Sequence, residues 1–162
     1  MKTFLFWVLF GILLALVSCQ PSGVIKDLNT GLTVTYSGGL KPKECFIVKT
    51  DDGGRVSGKK IPLNGFKFSI IIAGVEGYNK LKNGKVSLGC ELEITEKESN
   101  ASVLSVKDAL KGEYDAKLAE TLNADFMTGT PMKAGKEYIF KAKFYDKNGK
   151  GKITAQVALT TE

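Results

Sequence analysis

A strict alternation of apolar and polar side chains between Lys85 and Thr95 constrains the fold of this chain more than any other feature. Successive side chains of a strand point to opposite faces, so this pattern predicts a strand with one face in a core and the other in solvent. A helix of the same sequence would spread these apolar residues around its whole circumference. The apolar residues of the run are Val86, Leu88, Cys90, Leu92 and Ile94.

The same period recurs in two later runs, 138–144 and 153–159, which are separated by a turn containing Asn148-Gly149. An Asn-Gly pair between alternating runs predicts a hairpin with a type I′ turn. Turn-forming glycines separate the remaining apolar runs, because glycine tolerates positive φ. We therefore expect further strands at 32–36, 44–50, 66–73 and 124–128.

Residues 105–122 are the exception to this strand pattern. Ser105 and Asp108 form a possible N-cap, and Val106, Ala109 and Leu110 have helical spacing, so a short helical turn is expected there. Seven or eight short strands in about 130 residues predict an all-β fold, in the form of a two-sheet Greek-key sandwich. A closed, ligand-carrying barrel of lipocalin type is the alternative.

The end of the chain carries a resemblance that favours the sandwich. Residues 135–138 (GKEY), a strand, the Asn-Gly turn and a last strand resemble the final hairpin of bacterial immunoglobulin-like modules. Gly135 lies three residues before Tyr138 instead of two, which departs from the usual tyrosine corner. Lipocalins normally carry a tryptophan near the start of their first strand. The single tryptophan here, Trp7, lies in the apolar run at the N-terminus, far from the first predicted strand, which counts against a lipocalin.

The N-terminus has the organisation of an export signal. Lys2 is followed by an uninterrupted apolar run over 4–17, which is too short to be a permanent membrane helix, and then by Ser18 and Cys19. Residues 16–19 (LVSC) resemble the lipobox of bacterial lipoproteins, which implies that Cys19 is lipidated and becomes the first mature residue. The alternative is an ordinary secretory signal that happens to contain a cysteine.

This resemblance divides the chain into a signal peptide at 1–18, a lipidated tether at 19–30 and a β-sandwich domain at 31–162. It also implies that the lipid on Cys19 holds the protein at a membrane. Gln20, in the second mature position, is not the aspartate associated with inner-membrane retention. We therefore expect residence in the outer membrane, facing the periplasm or the cell surface.

The charged residues argue against several function classes. Histidine is absent, which removes the commonest general base and a common metal ligand. The formal net charge is +6, but Arg55 is the only arginine among the 23 basic residues. Bidentate arginines are favoured for phosphate contacts, so we expect no nucleic-acid partner. No cofactor, no metal and no catalytic residue is expected either.

Several local motifs resemble functional sites but lack an essential residue. Residues 53–60 (GGRVSGKK) fit a phosphate loop except that Lys60 replaces the required Ser or Thr, and no helix pattern follows. Asp146 could begin a calcium loop, but Val157 occupies the twelfth position, where a glutamate is needed. Two carboxylate pairs, Asp51-Asp52 and Glu91 with Glu93, are expected to be solvated rather than catalytic.

The two remaining cysteines, Cys45 and Cys90, have two interpretations. Both lie in predicted strands of an exported chain, so they could form a disulfide. They could equally be two small buried apolar side chains, since Cys90 shares its face with Leu88 and Leu92.

We therefore expect a non-enzymatic binding or interaction module that contacts an envelope protein or glycan through its loops. The alternative is a carrier or sensor of a small apolar or carbohydrate ligand. A cavity lined by Phe68, Phe140 and Phe144 would favour the carrier. A filled interior with an exposed apolar patch would favour the interaction module.

Overall fold

The computed structural model describes residues 22–162, which fold into an all-β sandwich of two sheets. Within that part of the chain the single helical element is a 3-10 turn, Leu118–Glu120, and no helix is both long and apolar enough to cross a bilayer. The strands are β1 (Gly23–Lys26), β2 (Thr33–Ser37), β3 (Glu44–Lys49), β4 (Lys60–Ile61), β5 (Lys67–Ala73), β6 (Lys85–Glu96), β7 (Ser102–Val106), β8 (Glu113–Asp115), β9 (Thr121–Met127), β10 (Glu137–Asp146) and β11 (Lys152–Thr161).

The two sheets differ in width. The large sheet has the strand order β1-β2-β11-β10-β6-β7, with β4 added beside β11 and β8 beside β6. The small sheet has only three strands, in the order β3-β5-β9. The sheets do not close into a barrel, so the expectation of an all-β sandwich is confirmed, although the number of strands is higher than the seven or eight expected.

The core lies between the centres of the two sheets. Phe140 of β10 is fully buried and makes edge-to-face contacts with Phe68 of β5 and Phe126 of β9, at centroid distances of 5.0 and 5.5 Å. Such contacts add to the hydrophobic stabilisation of burying large rings. The alternating runs of β6, β10 and β11 place their apolar faces in this core, as predicted.

One side of the sandwich is sealed by backbone pairing, and we call it the closed side (β1, β2, β3, β4 and residues 50–63). The chain leaves β3, folds back on it through the bond from the Val56 amide to the Ile47 carbonyl (2.9 Å), and then joins the large sheet as β4. There the Glu162 amide donates to the Ile61 carbonyl (2.9 Å). Ile61 is 1% exposed, so this crossing segment belongs to the core.

The tether predicted at 19–30 requires a correction. Gly23–Lys26 is strand β1, antiparallel to β2, with Ile25 opposite Val34. The sandwich therefore begins before residue 31. A strand of four residues with a single fully apolar pair gives a weak periodic signal, and its pairing is specified by β2 rather than by its own sequence.

The helical turn expected at 105–110 is also wrong. Ser105 and Val106 belong to β7, and the Ala109 amide donates to the Cys90 carbonyl (2.7 Å), so this segment continues along the edge of β6. In its extended form the segment satisfies its backbone hydrogen-bonding groups by pairing with β6. A helix here would not make these bonds to β6. The 3-10 turn forms later, at Leu118–Glu120, still within the 105–122 window.

The turn between β10 and β11 is not of type I′, because neither Asn148 nor Gly149 has a positive φ. The carboxylate of Asp146 accepts hydrogen bonds from the amides of Asn148 (2.9 Å) and Asn79 (2.7 Å) and so shapes a longer loop. A Cβ on Gly149 would lie 2.3 Å from Asn79 Nδ2 and 2.7 Å from Asp146 Oδ2. A side chain at this position would displace Asn79 Nδ2 and the Asp146 carboxylate, so the small size of glycine, rather than its backbone angle, accommodates these two groups.

Candidate functional site: the open side of the sandwich

The side opposite the closed side is not sealed, and we call it the open side (β7, β8, β9 and the 3-10 turn Leu118–Glu120). Strand β9 is the last strand of the small sheet, and β5 is the one strand it pairs with among residues 22–162. The large sheet continues past it, through β6 to β7 and β8. Part of the inner face of the large sheet is therefore not covered by the small sheet.

The register of β5 with β9 identifies which backbone groups of β9 are free. The Thr128 amide donates to the Phe66 carbonyl (3.0 Å), so the residues of β9 that bond to β5 are Leu122, Ala124 and Phe126. The Thr121 amide is bonded to the Leu118 carbonyl. Within residues 22–162, the amides of Asn123, Asp125 and Met127 have no backbone acceptor.

An apolar surface lies beside this free edge. Leu104 and Val106 of β7 stand opposite Ile94 and Leu92 of β6 and share their core-facing side of the sheet. They are nevertheless 37% and 36% exposed, because the small sheet does not reach them. Leu118 in the 3-10 turn is 69% exposed. These apolar side chains are therefore available for contact.

Two grooves border β9 and meet at Asp125. The inner groove has a volume of about 280 Å³ and lies between β6, β8 and β9, with Leu88, Leu122 and Phe144 in its wall. The outer groove, of about 310 Å³, is lined by Thr50, Lys67 and the end of β9. The edge of β9 thus stands between two depressions and is accessible from both faces of the small sheet.

The open side differs in charge from the rest of the chain. Strands β7, β8 and β9 contain no lysine or arginine, and their charged residues are Glu113, Asp115 and Asp125. Lysines lie in the connecting segments, and Asp108, between β7 and β8, binds Lys147 of the turn between β10 and β11 at 2.7 Å. Along the free edge itself, Asp125 is the one charged side chain, and it accepts a hydrogen bond from Ser69.

The open side is held in place by a partly buried tyrosine. The hydroxyl of Tyr78 donates to the Ala119 carbonyl at 2.8 Å and so fixes the 3-10 turn against the segment that precedes β6. Burial raises the pKa of Tyr78, so the hydroxyl stays protonated and remains a donor at neutral pH. The groove wall is therefore held by a specific hydrogen bond as well as by packing.

Three aromatic rings, Phe68, Phe126 and Phe140, pack against one another between the centres of the two sheets. Phe68 and Phe140 are fully buried against each other and Phe126, and neither lines a groove described above. Phe144, the third residue of the cavity that would favour the alternative carrier function, contributes to the wall of the inner groove.

The two cysteines are not bonded to each other. Cys45 lies on β3 at the closed side, where β3 contacts β1, whereas Cys90 lies on β6. Strands β1 and β6 are four positions apart in the large sheet, roughly 19 Å, and a disulfide needs β-carbons about 4 Å apart. Burial raises the pKa of each thiol to about 11.

Residues 53–60 and the two carboxylate pairs lie in turns, in a backbone bridge or in surface ion pairs. Residues 53–60 form a turn and a bridge from Arg55 to Val48, and they lead into β4 rather than into a helix. Glu91 and Glu93 pair with Lys143 (3.0 Å) and Lys141 (3.3 Å) across the outer face of the large sheet. Asp51 and Asp52 are exposed turn residues.

Two further sequence predictions concern ligation and lipidation. In the region from 22 to 162 no group of three or more His, Cys, Asp or Glu side chains is arranged to hold a metal ion. Asp146 binds backbone amides of its own loop and of the 79 region. Cys19, the predicted lipidation site, lies outside the described residues.

Tyr138 makes a contact that its spacing left in doubt. Its hydroxyl accepts a hydrogen bond from the Lys133 amide, five residues upstream, at 2.8 Å. A tyrosine at the start of a strand that bonds back to the preceding loop is the arrangement of a tyrosine corner. The bond fixes the loop between β9 and β10, whose Gly135 amide also donates to the Thr161 carbonyl at the end of β11 (2.7 Å).

No protein-family model matches the chain, and no curated protein matches it either.

The open side was not predicted from the sequence. The signal that was present is the exposed apolar run of β7, SVLSV, in a segment rich in polar residues. Without the strand order, that run cannot be assigned to an uncovered part of a sheet.

Proposed function

We propose that this protein is a lipid-anchored, non-enzymatic binding module of the bacterial cell envelope, and that its open side is the contact surface. The observation that carries the proposal is the distribution of exposed apolar side chains. Of the six large apolar residues exposed in residues 22–162, four lie on the open side, and they are Leu104, Val106, Leu118 and Met127. Clustered apolar exposure beside polar residues is typical of interaction surfaces.

The position of the proposed anchor fits this arrangement. Only three residues lie between Cys19 and Gly23, where β1 begins, so the lipid would lie four residue steps, or about 14 Å, from β1 along the chain. Strand β1 is at one edge of the large sheet and β7 at the other, five strand spacings or about 24 Å away. The open side would therefore be presented away from the outer-membrane surface that holds the lipid.

Site-specific photocrosslinking in intact cells tests the contact surface. A photoreactive amino acid in place of Leu118, on the open side, is compared with one in place of Gln156, which is exposed on β11. We expect a discrete crosslinked partner from position 118 and none from position 156. Equal crosslinking at both positions, or none at either, would overturn the proposed contact surface.

Cell fractionation tests the anchor. The Cys19→Ser variant should move to the soluble fraction, whereas Cys45→Ser, which alters a thiol in the folded domain, should stay with the membrane. Retention of Cys19→Ser in the membrane would contradict lipidation. Native mass spectrometry of the purified protein tests the alternative carrier function. A small ligand bound in stoichiometric amount would show that the protein is a carrier and would overturn the interaction module.

A further inference from the structure

We infer that the open side binds an extended peptide segment of a partner protein, which adds to β9 as a fourth strand of the small sheet. This inference rests on the proposed function and specifies the form of its ligand. The free amides of Asn123, Asp125 and Met127 offer a row of donors on one edge. Main-chain pairing of this kind supplies affinity in strand addition, and side-chain pockets supply specificity.

The length of the edge is sufficient for such pairing. Strand β9 has seven residues, and its pairing with β5 is regular from Thr121 to Met127. The other edge of the small sheet differs, since β3 is already bonded to the returning chain through the Lys49 amide and the Gly54 carbonyl (2.8 Å). Strand addition is therefore directed to β9.

The side chains around β9 specify the pattern of the added strand. Residues facing the sandwich interior would lie over Leu104 and Val106, which are apolar and exposed, so they should be apolar. Residues facing outward would lie beside Asn123 and Asp125. The partner segment should therefore alternate apolar with polar residues.

Charge complementarity selects a basic partner. Strands β7 to β9 carry three carboxylates and no cation, and Asp125 is central on the free edge. A lysine on the outward face of the added strand would stand across from Asp125, and opposite charges on neighbouring strands stabilise pairing. A second copy of this chain would bring a second Asp125 to the same edge, which favours a different protein as the occupant.

The probe is a synthetic nine-residue peptide in which valine alternates with lysine and threonine, titrated into the full-length protein by NMR or calorimetry. We expect saturable binding, with slowed exchange of the Asn123 and Asp125 amides. A peptide with glutamate in place of lysine should bind more weakly. Absence of saturable binding by the lysine peptide would overturn the inference.

Backbone methylation of the probe distinguishes strand addition from simple apolar contact. One analogue carries N-methyl groups on its lysine and threonine residues, and the other on its valines. Because only one edge of the peptide can face β9, one analogue should lose at least about tenfold in affinity and the other should bind as the parent does. Equal affinity of the two analogues would overturn strand addition.

The Asn123→Pro variant removes one edge donor from the protein. The Asn123 amide is not bonded to β5, so proline is tolerated there as it is on other edge strands. We expect about a tenfold loss of probe affinity, with an unchanged unfolding midpoint as the folding control. Asn123→Thr keeps the amide and should bind the probe as the wild type does, and a loss in both variants would contradict main-chain pairing.

The experiments separate this inference from the proposed function. If the probe does not bind while position 118 still gives a discrete crosslinked partner, strand addition is wrong and the binding module stands. If the Asn123 and Asp125 amides become protected with rising protein concentration and no peptide, a second copy is the occupant, and the inferred peptide partner is wrong.

Discussion

The closed and open sides of the sandwich are built from similar strands but differ in how their backbone groups are satisfied. On the closed side the Val56 amide bonds to the Ile47 carbonyl and the crossing chain continues into β4. On the open side the amides of Asn123 and Asp125 remain free beside exposed Leu104. Hydrophobic alternation fills the centre of the molecule, whereas the connections between strands decide whether a side is sealed.

The sharpest contrast between the two sides is expected from apolar truncations. Ile61→Ala on the closed side removes a side chain that is 1% exposed and should lower the free energy of unfolding by about 2–5 kcal/mol. Leu118→Ala on the open side removes one that is 69% exposed and should change it by less than about 0.5 kcal/mol. Urea denaturation followed by circular dichroism measures both, and equal losses would erase the distinction.

Thiol reactivity tests how deep the open side reaches. Cys45 lies at the closed side and Cys90 on β6, and burial raises both pKa values from 9.0 to about 11. At pH 8 each thiolate population should fall by roughly 100-fold, so alkylation of the folded protein should be slow at both cysteines. Quantitative mass spectrometry measures this, and fast labelling of Cys90 alone would show that the groove extends to it.

The same pKa shifts predict the direction of an alkaline effect. The folded pKa of each thiol is above the unfolded value, so the stabilisation from a neutral buried thiol is complete below pH 9 and is lost as the pH rises towards 11. A variant with alanine at both 45 and 90 should show a smaller decrease in unfolding free energy between pH 9 and 11. An identical pH profile for wild type and variant would contradict this.

Tyr78→Phe loosens the open side without touching the closed side. The change removes the donor to the buried Ala119 carbonyl and should cost about 1–3 kcal/mol, because that acceptor is left unsatisfied. Hydrogen exchange should quicken around 118–122 and stay unchanged at Val56. A uniform increase across both sides would mean that Tyr78 supports the whole domain instead.

The smallest effect is expected on the outer face, which belongs to neither side. Glu93 pairs with Lys141 at 3.3 Å, and their side chains are 44% and 39% exposed. Exposed pairs contribute little, so Glu93→Gln should change stability by less than about 0.5 kcal/mol. If thermal unfolding instead shows that the free energy of unfolding falls by more than about 1 kcal/mol, the ion pairs of the outer face contribute to stability on the scale of core residues, which would contradict this expectation.

The long strands could be predicted from the sequence because their alternation is sustained. In β10, Tyr138, Phe140 and Phe144 share one face over most of ten residues, and the structure buries all three. The short strands could not be predicted, since β4 has two residues and β8 three, and their extended form depends on pairing with β11 and β6. Their stability is tertiary in origin.

The candidate site was beyond sequence reasoning for a related reason. The alternation in β9 identifies Leu122, Ala124 and Phe126 as its inner face, but it gives no information about which strand lies beside it. The turn at Asn148-Gly149 shows the same limit, because the distant Asn79 and the carboxylate of Asp146 override the local preference for type I′. Both features are set by contacts between residues far apart in the chain.

Residue-resolved hydrogen exchange of the isolated protein tests the unpaired edge of β9 most directly. The account predicts an alternating pattern in which the amides of Ala124 and Phe126 are protected while those of Asn123 and Asp125 exchange almost freely, at any protein concentration. The Val56 amide on the closed side should be protected throughout. Protection of all four β9 amides to the same degree would show that both of its edges are already paired and would contradict the account.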